Sequence, residues 1–231
     1  MDFYLYSLLA LAYAGLLVFG FRRVRETGVL SYSNLVLLIA LGLVYDNGII
    51  ALGRTIGEGG TLYALSTLRF WTHAFFTPAL VLVAWDLLRR TGVSWAGTPA
   101  ARTGSWVLTL ILVVYQIAFG TLKEVSRLVP EEKAGVLRYV SSESAGGPLM
   151  VIVTSIVLLA AGIVLFIKQR WIWMALGVGL LFVSQGLPLP FESSALTNIF
   201  ELVLIVSLWA TVRHVDRHGD GAVRSGRQAL A

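Results

Sequence analysis

An acidic residue, Glu201, stands in the middle of an apolar stretch that covers residues 195–210. An ionisable side chain inside a membrane helix costs at least ~2.5 kcal/mol on insertion scales, so its presence there indicates a functional role. Acids and a base held in a site that excludes water are suited to moving protons. Polar residues interrupt four other apolar segments in the same way, namely Asp46, Arg69, His73, Gln116 and Gln185.

The composition places these residues in a polytopic membrane protein. Of the 231 residues, 57% are hydrophobic and 13% are charged, whereas soluble domains are about 25% charged. The chain contains no cysteine, which excludes thiol catalysis, structural disulfides and cysteine-based metal sites. The net charge is +5, and the positive residues are distributed along the chain as in a membrane topology signal. We therefore do not expect nucleic acid as a partner.

Seven segments are long and apolar enough to cross a hydrocarbon core of ~30 Å. The chain is therefore predicted to be all-α, a seven-transmembrane helix bundle in one domain over residues 1–213, followed by a polar, disordered cytoplasmic tail over residues 214–231. The third segment is the longest, and we expect it either to be tilted or to bend at Pro78. The segments cover residues 3–21, 31–52, 62–88, 106–122, 149–167, 171–187 and 195–212.

Positive charges alternate from one set of connecting loops to the other. One set is basic, while the other balances its cations with acids, as Glu58 does for Arg54. The positive-inside rule then places the N-terminus outside and the C-terminus in the cytoplasm of a cell membrane of the bacterial type. Asp86 is expected to form an interfacial ion pair with the nearby basic residues. The basic set consists of Arg22, Arg23, Arg25, Arg89, Arg90, Arg102, Lys168, Arg170, Arg213, Arg217, Arg224 and Arg227.

The interrupting residues are predicted to share one depth in the membrane. A rise of ~1.5 Å per residue puts Asp46, His73, Gln185 and Glu201 ~18–24 Å above the cytoplasmic ends of their helices. Because lipid cannot satisfy them, they should face each other or a water-bearing cavity. The predicted substrate-binding residues are Tyr45, Arg69, Trp71, Phe75, Phe76, Tyr115, Gln116, Gln185 and Glu192.

Two of these residues have an alternative interpretation. Arg69 lies four residues before His73 on one helix face, but it could instead pair with Glu58 in the short outer loop. Glu192 follows two prolines that end the sixth segment, so it stands either at the rim of the pocket or in solvent.

The predicted pocket contains the groups needed to cyclise a polyprenyl chain that enters from the lipid. A carboxylic acid in an apolar site can donate its proton to an alkene or an epoxide. Aromatic faces stabilise the resulting cation by roughly 1–2 kcal/mol each, and a second polar group removes the final proton. The sequence has no DDxxD-type aspartate cluster to hold magnesium and diphosphate, so ionisation of a prenyl diphosphate is not expected.

Two segments carry a family resemblance. With Asp46 in Tyr45-Asp46-Asn47 and Glu201 in the last helix, the chain resembles the small integral-membrane terpene cyclases of meroterpenoid and indole-terpenoid pathways. Residues 189–192 are also similar to the Pro-x-Glu motif of the small membrane lycopene cyclases, although Ser193 stands where that family has a second acid. Both resemblances imply acid-initiated isoprenoid cyclisation.

The sequence predicts a membrane-embedded isoprenoid cyclase, of the isomerase or lyase type, that works without metal or organic cofactor. Asp46, Glu201 and His73 are its predicted catalytic residues. A retinal protein is excluded because the last helix contains no lysine. The alternative is a small lipid or proton-coupled transporter or binding protein, although such carriers usually contain paired repeats with broken helices, and this chain has a single break at residues 186–190.

Overall fold

A computed structural model describes residues 2–28, 31–142, 148–186, 193 and 195–218. The helices are α1 (Asp2–Thr27), α2 (Leu35–Ile56), α3 (Gly60–Phe76), α4 (Leu80–Arg90), α5 (Pro99–Tyr115), α6 (Leu122–Val125), α7 (Leu149–Gln169), α8 (Trp173–Gly186) and α9 (Ala195–His218).

Six helical segments of the described chain are long and apolar enough to cross a membrane. This agrees with the predicted integral membrane protein built from helices. Large apolar side chains such as Tyr4, Leu11 and Phe19 of α1 are exposed, as expected for a surface that faces lipid. The six segments are Asp2–Thr27, Tyr32–Ile56, Gly60–Arg90, Pro99–Val125, Leu149–Gln169 and Ala195–His218.

The sixth predicted span corresponds to α8, which has only 14 residues. At ~1.5 Å per residue it is ~21 Å long, shorter than a hydrocarbon core of ~30 Å. Its direction is nevertheless clear from its contacts with α9. The indole N–H of Trp171 donates to Oγ1 of Thr211 at 2.9 Å, and Gly177 packs against Ser207 further along. Helix α8 therefore runs antiparallel to α9.

The predicted bend at Pro78 is confirmed. Helix α3 ends at Phe76, a 3₁₀ turn covers Thr77–Ala79, and α4 continues from Leu80. Proline interrupts the helix because it has no N–H to donate and its ring clashes with the preceding turn. Residues 80–88 of α4 are all buried, so this half of the bent segment lies in the core of the bundle.

The ends of three helices meet around the carboxylate of Asp216. We call this end of the bundle the basic end. Arg23 of α1, which is 1% exposed, donates through Nε to Asp216 of α9 at 2.7 Å. Arg90 of α4 donates to the other carboxylate oxygen of Asp216, also at 2.7 Å. The last helix therefore continues to His218, beyond the predicted boundary at residue 213. The predicted ion pair of Asp86 is confirmed, with Arg89 as its partner at 2.6 Å.

A β-hairpin that the sequence interpretation missed covers the opposite end. Strands β1 (Leu128–Lys133) and β2 (Val136–Ser141) pair antiparallel, in a segment that we predicted to be a polar loop. The hairpin packs on the C-terminal end of α2, where the carbonyl group of Leu137 lies against Gly53. The ring of Tyr139 contacts that of Tyr63 in α3, with centroids 5.4 Å apart. The hairpin is a small addition to a structure that is all-α, as predicted.

Candidate functional site

A cavity of about 470 Å³ lies among α2, α3, α7, α9 and the segment that follows α5; we call it the main cavity. The polar residues that the sequence placed on separate helices meet here. Their approach follows from the absence of hydrogen-bonding partners in lipid, which makes an inward orientation the favourable one. The predicted site residues that line the main cavity are Asp46, Arg69, His73, Phe76, Gln116 and Glu201.

Asp46 and Arg69 form an ion pair across the main cavity wall. Nε of Arg69 donates to Oδ1 of Asp46 at 2.7 Å, and the two side chains are 13% and 24% exposed. The alternative pairing of Arg69 with Glu58 is not observed within the described residues. The negative charge of Asp46 is therefore balanced by a guanidinium group from the neighbouring helix.

Glu201 lines the same cavity but has a different environment. Its side chain is half-buried, and it forms no hydrogen bond or ion pair with any residue that the structure describes. Asp46 and Glu201 thus lie in unlike surroundings within one cavity, because among the described residues Asp46 has a cationic partner and Glu201 has none.

A pair of asparagines holds α9 against α2 beside these carboxyl groups. Nδ2 of Asn198 donates to Oδ1 of the buried Asn47 at 3.1 Å, and Asn47 itself donates to the carbonyl group of Leu43 at 2.8 Å. Asn198 also lines the main cavity, and the sequence interpretation did not select it. Its spacing was a usable signal, since it precedes Glu201 by three residues and so lies on the same helix face.

An irregular helical segment brings two further polar groups to the main cavity. Between α5 and α6 the chain forms a π-helix over Gln116–Thr121, a rare form that often occurs at functional sites. Gln116 lines the cavity as predicted, and its side chain occupies space that a β-carbon on Gly120 would need. Glu124 of α6, which the sequence interpretation did not select for the site, lines the cavity as well.

His73 lies at the bend of the third predicted span. Its Nδ1 atom is 3.2 Å from Oγ1 of Thr77, the residue before the proline, and both residues line the main cavity. The threonine hydroxyl can donate to or accept from the ring nitrogen, depending on which tautomer is present. An imidazole therefore lies in the same cavity as the carboxyl groups.

Most of the aromatic residues predicted to bind substrate lie outside the main cavity. Only one of the five lines it, namely Phe76. Trp71 and Phe75 stack on each other with centroids 6.0 Å apart, on a face of α3 that the cavity does not reach. The hydroxyl of Tyr45 donates to a backbone carbonyl of α3, and Tyr115 packs on a neighbouring ring of its own segment. The prediction used depth alone, and depth does not determine which way a residue points around its helix.

Two predicted residues have no described side chain. Gln185 belongs to the last turn of α8, and only its backbone is described. Glu192 lies outside the described residues. The aromatic ring that joins Phe76 in the main cavity is that of Phe70, which precedes it by six residues on α3.

No protein-family model matches the chain, and no curated protein or solved structure matches it either. The resemblance to membrane terpene cyclases therefore stays a prediction. Among the described residues, no group of three histidine or acidic side chains is arranged to hold a metal ion.

Proposed function

We propose that the protein is a seven-span membrane enzyme that cyclises a linear prenylated substrate after protonating its alkene or epoxide. The observation that carries this proposal is that Asp46 and Glu201 line one cavity, Asp46 with an arginine partner and Glu201 without one among the described residues. In this proposal α8 completes the seven spans, the N-terminus lies outside, and the C-terminus lies in the cytoplasm of a bacterial-type cell membrane.

Glu201 is the proposed acid. The carboxyl group without a partner among the described residues is the better candidate, because Oδ1 of Asp46 already accepts a hydrogen bond from the Arg69 guanidinium. The proton of Glu201 adds to an alkene carbon or to the epoxide oxygen. The cation then forms a carbon–carbon bond with the next alkene of the chain. Asp46 or His73 accepts the proton lost in the last step, so the product is an isomer of the substrate and no electrons are transferred.

The lining of the main cavity favours a substrate with an apolar chain and a polar head. Phe70 and Phe76 offer two aromatic faces, each able to stabilise a desolvated cation by roughly 1–2 kcal/mol. Gln116 and Glu124 lie in the same cavity and can hydrogen-bond to a hydroxyl or an indole N–H of the head group. Because fewer aromatic rings line the main cavity than predicted, the Asp46 carboxylate would supply a larger share of the stabilisation of the cation.

A substrate screen tests the proposal. Membranes that contain the protein are incubated with linear prenylated indoles, prenylated quinols and their epoxides, and the products are separated by chromatography and weighed by mass spectrometry. We expect a product of unchanged mass and new retention. Glu201→Gln should lower its formation by roughly 10²-fold or more, the usual effect of removing a general acid.

The matched control is Glu58→Gln, which makes the same change in an exposed loop and should leave turnover unaltered. The proposal fails if no substrate of the panel is isomerised. It also fails if Glu201→Gln and Asp46→Asn both keep full activity.

The polar lining of the main cavity also favours a second candidate function. A carboxyl group without a cationic partner, beside Asn198 and Glu124, would suit a small lipid or proton-coupled transporter. Flux of an unmodified substrate into sealed vesicles, abolished in Glu201→Gln, would support transport over cyclisation.

A further inference from the structure

A second cavity, of about 720 Å³, opens at the basic end of the bundle beside α4 and the start of α5; we call it the basic-end groove. It shares no lining residue with the main cavity. Aromatic rings and arginines dominate its surface, and the proposed chemistry uses none of them. The groove is lined by Tyr32, Trp85, Arg89, Gly97, Thr98, Pro99, Arg102, Thr103 and Trp106.

The aromatic wall of the groove is fixed by its own contacts. The ring of Tyr32 packs edge-on against Trp85 at 5.1 Å and against Trp106 at 6.2 Å. The indole N–H of Trp85 donates to the carbonyl group of Ala96 at 2.9 Å. Tryptophan and tyrosine at the end of a membrane helix commonly lie at the level of the lipid head groups. The wall therefore offers a rigid apolar surface at that level.

The charge of the groove is positive. Arg89 lies 5.6 Å over the Trp85 ring and pairs with Asp86, while 45% of its side chain remains exposed. Arg102 is exposed and forms no hydrogen bond or ion pair through its side chain within the described residues. The N-terminus of α5, capped by Thr98, adds a partial positive charge at the same place. The groove is thus lined by two arginines and by no acidic residue among those described; Arg89 is paired with Asp86, and an anion would balance the charge of Arg102.

We propose that the basic-end groove binds the phosphodiester head group of an anionic membrane lipid. A guanidinium group matches a phosphate with two parallel hydrogen bonds, which Arg102 can supply without breaking an existing contact. The rings of Tyr32, Trp85 and Trp106 pack against the glycerol and the first methylene groups of the lipid. This combination of a free guanidinium and an apolar wall favours a lipid over a soluble phosphate. The site is independent of the proposed cyclisation.

Native mass spectrometry of the whole protein tests this site. The protein is released from detergent in the presence of phosphatidylglycerol or phosphatidylcholine with the same acyl chains. We expect the wild-type protein to retain phosphatidylglycerol preferentially. Arg102→Gln should lower the bound fraction by on the order of tenfold, the loss of one charge-assisted contact. Arg22→Gln, the same change at an exposed residue that does not line the groove, should retain the lipid as the wild type does.

A second variant tests whether any loss of lipid in Arg102→Gln is caused by misfolding and not by the missing charge. Thr103→Glu puts a negative charge into the groove at an exposed position and should cause the same loss. Equal retention of the two lipids by the wild type would overturn the proposal, as would an equal loss in Arg22→Gln. Competition by soluble glycerol phosphate at the same concentration would overturn the assignment to a lipid.

Discussion

Asp46 and Glu201 of the main cavity differ in what surrounds them, and the proposed function gives each a separate role. Asp46 forms an ion pair with Arg69, so removing either side chain leaves the other as an unpaired charge in a partly desolvated place. Glu201 forms no ion pair or hydrogen bond with the described residues. The sequence predicted that both would face one site, because both are too costly to expose to lipid. It could not predict that Arg69 pairs with Asp46 rather than Glu58, since that depends on how α2 and α3 are rotated.

A double-mutant cycle tests the Asp46–Arg69 pair. Arg69→Gln should lower the free energy of unfolding in detergent by about 1–3 kcal/mol, because it leaves the Asp46 carboxylate without its partner. In the Asp46→Asn/Arg69→Gln double variant the loss should be smaller than the sum of the single losses. The control is Arg54→Gln, whose pair with Glu132 is 61% and 58% exposed and should contribute less than about 1 kcal/mol. Additive losses at Asp46 and Arg69 would contradict the pairing.

At the scale of elements, the regular helices were predictable and the irregular ones were not. The apolar segments and Pro78 were sufficient to indicate the long spans and the bend between α3 and α4. The π-helix at Gln116–Thr121 has no such signal, because it changes the hydrogen-bond spacing without changing the apolar pattern. The hairpin was missed because β1 is mostly exposed and charged, so its sequence is typical of a loop.

The contact between the hairpin and α2 depends on Gly53. A β-carbon at this position would collide with the carbonyl oxygen of Leu137 in β2. Gly53→Ala should therefore displace the hairpin, lowering the free energy of unfolding by about 1–3 kcal/mol. Amide hydrogen exchange over residues 128–141, followed by mass spectrometry, should become faster.

Gly48 in the same helix is the matched control. A β-carbon there meets nothing within 4 Å, so Gly48→Ala should be neutral or stabilising by up to about 1 kcal/mol. Unchanged exchange of the hairpin in Gly53→Ala would show that the close contact does not hold it in place.

For the molecule as a whole, the two ends of the bundle are held by different means. At the basic end Asp216 joins α1, α4 and α9 through Arg23 and Arg90. At the other end the hairpin covers α2 and α3. The charge pattern predicted that the basic loops lie together, because the positive-inside rule acts on whole loops. It could not predict the half-buried carboxylate of Asp216 among them, which depends on α9 extending beyond the apolar segment.

The orientation of the bundle can be tested directly because the chain contains no cysteine, so a single introduced thiol has no background. Ser126 is exposed at the hairpin end, and Ser94 is exposed in the turn between α4 and α5 at the basic end. We expect Ser126→Cys to react with a membrane-impermeant maleimide in intact cells. Ser94→Cys should react only after the membrane is permeabilised, because the basic loops are retained in the cytoplasm. The reverse labelling pattern would overturn the proposed orientation. Labelling of both thiols in intact cells would place the two ends of the bundle on the same side of the membrane, which would contradict a bundle that spans it.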